Sequence, residues 1–183
     1  MMNLQRCGLA LAMMFLVVPC VVAQNDAGRK IRDGAVAHGV RGVQMYQRHA
    51  QDRSQMLYHQ TQAPQPTIQK AETADLVASI KKDLTSADKA LAKIKTEHAK
   101  EPEVLKLIAS IEKHHAKVLA ACGAAEAHAK MEKHDHALIG DFSAEMWHEL
   151  EAGSAETTKL MKLLKIDKLD APKKATDRKE AIK

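Results

Sequence analysis

Three side chains near the middle of the chain have the types and spacing that coordination chemistry needs. His128, Glu132 and His136 follow one another at i, i+4 and i+8. On an unbroken helix they stack on one side, with about 5 to 6 Å between successive Cβ atoms. An imidazole and a carboxylate one turn apart can share a divalent ion. Met131, His134 and Asp135 stand beside them, and His98, His114, His115 and His148 bring most of the chain's 10 histidines into the same region. Imidazole with carboxylate suits Zn, Ni, Fe or Cu(II), and the shortage of thiolates argues against a soft Cu(I) cage. The usual enzyme signatures are missing: there is no Gly-rich phosphate loop, Cys pair, His-Glu-x-x-His, haem-attachment motif or nucleophile elbow. The chain therefore reads as a binding or structural protein and not as an enzyme.

The elements that must position these groups are helices. Val77, Ile80, Leu84, Ala87, Leu91, Ile94 and His98 repeat at 3, 4 spacing, the seam of a left-handed coiled coil. Val104, Leu107, Ile108, Ile111, His115, Val118, Leu119, Cys122 and Ala125 form a second such face. Ile139, Phe142, Met146, Leu150, Gly153, Thr157, Leu160 and Leu164 form a third. Thr67 fits the N-cap of the first helix and Pro102 the first turn of the second. The second helix is expected to run to His134, and Asp135 or Asp141 to cap the third. Short connections make successive helices antiparallel. The sequence thus specifies an all-α protein, with helical hairpins forming a three-helix stack, or a four-helix bundle if the N-terminal arm docks.

Four segments follow. Residues 1–23 read as a secretory signal peptide, with Arg6 ahead of an apolar stretch and Val21-Val22-Ala23 before the cut. Residues 24–66 form a basic arm, broken early by Gly28, Gly34, Gly39 and Gly42, with a helix over about 41–60 and an Ala63-Pro64-Gln65-Pro66 linker. Residues 67–166 are the bundle, and 167–183 a Lys-rich tail of disordered composition. The expected location is exported, periplasmic or extracellular, with no transmembrane segment left after cleavage. Losing Arg6 with the leader lowers the net charge from +5 to +4, too weak and too mixed in sign to argue for nucleic acid. Cys7 and Cys20 leave with the leader. Cys122 is then the one thiol and reads as a buried small hydrophobe.

Pairing the hairpins about Glu101 and Ala137 brings Asp75, Glu126 and His148 to one height, with Glu145 and His128 near it. Bundles build metal sites from such convergence. Glu112 to His115 and Glu145 to His148 both read Glu-x-x-His, which resembles the paired motif of the ferritin-like di-iron carboxylate proteins. The resemblance implies a di-iron site inside a four-helix bundle. In that family, however, the motifs lie on alternate helices, with single glutamates on the other two. Here they lie on consecutive helices, and residues 25–62 contain no glutamate.

Two functional readings follow. One is a His-rich bundle that binds or buffers a divalent transition metal. The other is a structural or partner-binding bundle, self-associating or docking through an uncovered apolar stripe such as Trp147 with Leu150 or the 77–94 seam. Histidines titrate near pH 6.5, so seam histidines buried as neutral rings make the unfolded chain bind more protons than the folded one. Stability then falls between about pH 7 and 5, as chemical unfolding across that range would show; a flat profile excludes it.

Overall fold

The computed structural model describes residues 7–62, 70–131 and 135–166, with side chains from Asp33 onward. The signal-peptide side chains, the 63–66 linker, Thr67 and the 167–183 tail lie outside the described residues. Four helices make up the fold: α1 (Cys7–Thr61), α2 (Lys70–Glu97), α3 (Pro102–Ala129) and α4 (His136–Leu163). The chain is an all-α helical bundle. No helix among the described residues is long and apolar enough to cross a membrane.

Two compact units divide the chain within α1, one ending at His38 and one beginning at Gly39. The second unit holds α2, α3 and α4 and the part of α1 from Gly39 on. The arm docks as the fourth helix. Val40, Val43, Gln47, Ala50, Ser54, Leu57 and Thr61 form a 3, 4 stripe, and all of them are buried. Of the apolar residues that spacing assigns to this helix, Val43 and Leu57 are buried, Tyr46 is half-buried and Met56 is exposed. Glycine costs about 1 kcal/mol in a helix interior, yet α1 runs unbroken through Gly39 and Gly42. A Cβ added at Gly39 would lie 3.6 Å from Ile94, so tertiary packing overrides local propensity there.

Contacts between helices set the topology. Along α1 and α2, Gln60 donates to Glu72 at 2.6 Å, and further along Arg53 pairs with Asp83. Lys95 meets Glu112 at 2.9 Å between α2 and α3, and His114 meets Glu149 at 2.6 Å between α3 and α4. The circuit closes where Thr157 reaches Gln47 at 2.9 Å and Gly140 abuts Thr61. In every pair one number rises as the other falls. Each helix is therefore antiparallel to both neighbours, in an up-down-up-down bundle.

The seams of α2 and α3 pack as their spacing predicts. Val77, Ile80, Leu84, Ala87, Leu91 and Ile94 are buried, as are Val104, Ile108, Ile111, His115, Val118, Cys122 and Ala125. Leu150 is fully buried too, and Trp147 is half-buried against Tyr58. The stripes expected to stay open are thus covered by α1. Pro102 opens α3, and Asp135 caps α4 by accepting the Ala137 N–H at 2.8 Å. But α3 stops at Ala129, five residues before the expected end at His134.

Leu57 packs fully buried in a cluster with Ile80, Leu84, Val118 and Leu150 from the other three helices. Leu57→Ala is expected to cost about 2 to 5 kcal/mol, read from urea midpoints. A loss below about 1 kcal/mol would mean that α1 is not part of the cooperative core.

Candidate functional site

Six buried positions carry a polar side chain with described bonds. Three of them satisfy themselves within their own helix. Ser54 donates to the Ala50 carbonyl at 2.9 Å, Ser143 to Ile139 at 2.7 Å, and Thr61 to Tyr58 at 2.6 Å. Gln47 and His115 are too long for that solution. At 0% and 1% exposure, each must find partners on other helices or bear the cost of an unmade bond, about 1 to 3 kcal/mol.

They find each other. His115 Nδ1 lies 2.6 Å from Asp88 Oδ1, and its Nε2 lies 3.0 Å from Gln47 Nε2. The Gln47 Oε1 accepts from the Thr157 hydroxyl at 2.9 Å. Asp88 comes from α2, His115 from α3, Gln47 from α1 and Thr157 from α4. One chain of hydrogen bonds thereby joins all four helices at one level. Asp88 accepts, so Nδ1 carries the proton and Nε2 receives the Gln47 N–H. Gly153 makes room for the amide: a Cβ there would stand 3.3 Å from Gln47 Nε2 and 3.4 Å from His114 Cβ. Sequence reasoning placed His115 on a seam but missed Gln47, Asp88 and Thr157 as its partners. The 3, 4 stripe of α1 was the available signal, once polar residues are allowed into it.

The other histidines also make bonds within the fold. His114 Nδ1 bonds Glu149 Oε2 at 2.6 Å, and Lys117 holds the second oxygen of Glu149 at 2.6 Å. Burial pushes the Glu149 carboxyl up, but the Lys117 and His114 bonds bring it below its ordinary value. His98 Nδ1 lies 2.9 Å from Glu101, in the turn between α2 and α3. The Nε2 of His128 accepts the backbone N–H of Asp135 at 2.7 Å, closing the turn from α3 to α4.

The early end of α3 changes the expected metal cluster. His128 lies on α3 and His136 begins α4, so the i, i+4, i+8 stack has no continuous helix under it; Glu132 lies outside the described residues. The expected height also shifts. Glu126 meets Lys81, not Asp75, which is six residues or about 9 Å along α2. Met146 stands opposite Cys122, which puts the level of Glu126 near residue 142, again about 9 Å from His148. Asp75, Glu145 and His148 are all exposed, and the His148 ring lies flat on Trp147 at 5.5 Å.

The two Glu-x-x-His motifs do not converge. His115 points into the core, Glu112 pairs with Lys95, and Glu145 and His148 face solvent. Among the described residues, no group of three His, Cys, Asp or Glu could hold a metal ion. Cys122 donates to the Met146 sulfur at 3.2 Å, and burial pushes its thiol up to about 12. A thiol kept so far from thiolate is a packing residue and not a nucleophile.

Glu126 is the clearest electrostatic feature of the surface. A hydrogen bond from Lys81, then one from Lys130, lower its carboxyl to about 2. A carboxylate depressed in the folded state adds stability above its unfolded value, about 4.3, and loses it as pH falls through the folded one. Glu126→Gln is expected to flatten the acid limb of the stability curve between about pH 4.5 and about 2. Urea midpoints measured across that range check this, and parallel wild-type and variant curves would refute it. Searches of family models, curated proteins and solved structures found no match to this chain.

Proposed function

We propose that this is an exported, non-enzymatic helical bundle that acts as a structural or partner-binding module, with its histidines serving as ties within the fold. One observation carries the reading: the Nε2 lone pairs of His115 and His128 are taken up inside the fold, by the Gln47 amide and by the backbone N–H of Asp135. A ligating imidazole presents such a lone pair to the metal instead.

The face left for a partner is the outer side of α1. There a groove of about 720 Å³ is lined by Arg41, Met45, Arg48, His49 and Asp52, with Ser154 of α4 at its edge. Met45 lines it about half exposed, and Met56 is half exposed further along α1. Two arginines beside a flexible thioether suit a partner segment that mixes acidic and apolar residues.

Structural imidazoles and a metal site make different demands on stability. His114→Ala is expected to cost about 1 to 2 kcal/mol, the scale of one hydrogen bond to a charged group, equally with and without a chelator. Calorimetric titration of the metal-free protein with Zn(II), Cu(II) and Ni(II) should give weak, non-stoichiometric heats. Saturable sub-micromolar binding abolished by His128→Ala with His136→Ala would overturn the reading and restore the metal-buffering one. So would a wild-type stability that falls on chelation, as mass action requires of a bound ion.

A further inference from the structure

The four-helix hydrogen-bond chain has a second complete arrangement. We propose that the Asp88–His115–Gln47–Thr157 chain is a two-state device that takes up one proton in the bundle core by turning over the Gln47 amide, with the fold intact. The inference stands on the core geometry alone and holds under either reading of the function.

In the arrangement described, His115 is neutral. Its Nδ1–H goes to Asp88, its Nε2 accepts from Gln47 Nε2, and the Gln47 Oε1 accepts the Thr157 hydroxyl. A proton from solvent placed on Nε2 would set N–H against N–H across 3.0 Å. Rotating the amide by half a turn removes that clash. Nε2–H then donates to Gln47 Oε1, and Gln47 Nε2 donates to Thr157 Oγ1. The Thr157 hydroxyl turns to the Gly153 carbonyl, already 3.0 Å away. Only the oxygen and nitrogen of the Gln47 amide exchange places, and no covalent bond other than the new N–H is made. Every member keeps a partner in both states, which a buried polar chain requires.

The charge is met as well. From α2, Asp88 faces the ring with its carboxylate partly in solvent; from α1 the facing group is neutral Gln47, and from α4 neutral Thr157. On α3 itself the adjacent His114 is held by Glu149, which also binds Lys117. The imidazolium would therefore sit against one carboxylate, with no lysine or arginine among its described bonding partners. A side-chain amide can reverse donor and acceptor in place while bridging His115 on one side and Thr157 on the other, which a leucine or methionine at this buried position could not do.

NMR of the full chain, with 15N-labelled histidine and glutamine side chains, tests this during acid titration. At neutral pH His115 should show a protonated Nδ1 and a bare Nε2, and the Gln47 amide protons should lie close to the imidazole ring. On acidification Nε2 should gain its proton while the core methyls of Leu84 and Leu150 keep their dispersion. The Gln47 amide contacts should then move from the ring to Thr157. Three results would overturn the proposal: Nε2 already protonated at neutral pH, loss of core dispersion together with protonation, or Gln47 contacts that do not change once Nε2 is protonated. The measurement uses the wild-type chain, so it does not depend on a variant that folds.

Discussion

Gln47 is a fully buried primary amide, and this governs the arrangement around it. A primary amide buried without partners costs more than most single packing defects. Its position on α1 is tolerable only if His115 of α3 and Thr157 of α4 arrive at the same height. Slide any helix by one turn and a donor or acceptor is stranded. Leucine and isoleucine seams with 3, 4 spacing pack almost equally well one heptad out of step, so an apolar core alone leaves register weakly defined. The polar chain supplies the missing discrimination, the role for which buried polar groups in helical assemblies are best attested.

Around that level the surface pairs act as a looser second frame. Arg53 with Asp83, Lys81 with Glu126, Lys95 with Glu112 and Lys117 with Glu149 each bridge neighbouring helices, and each is partly open to water. Single pairs of this kind contribute at most about 1 kcal/mol. Their distribution matters more, because every neighbouring contact from α1 round to α4 carries at least one. Charges of both signs are thus spread along all four helices.

Much of this was legible in the sequence. The seams of α2, α3 and α4 follow from residue spacing, because those helices bury apolar side chains that mark their own faces. Pro102 and Asp135 announce their turns through backbone chemistry. The N-terminal helix was harder: its buried stripe contains Gln47, Ser54 and Thr61, which hydropathy counts as surface. Its glycines also weigh against helix in any local scale. The spacing of His128, Glu132 and His136 runs across a helix boundary. Ending α3 at Ala129 and not His134 moves the turn by a few residues, and in an antiparallel pair that displaces every cross-helix partner at once. Residue type and spacing can nominate ligands, but only register decides which of them meet.

The order in which the chain is made gives that register a kinetic side. Gln47 and Thr157 are 110 residues apart, and the first and last helices of the bundle are neighbours. Hairpins of α2 with α3 and of α3 with α4 are local and can close early, since short loops cost little entropy. The contact between α1 and α4 needs the whole chain. Until α4 has emerged, the apolar stripe of α1 has no α4 to cover it and the polar group at its centre has no final partners. A core whose last tie joins its first and last helices thus postpones native closure until α4 has been made.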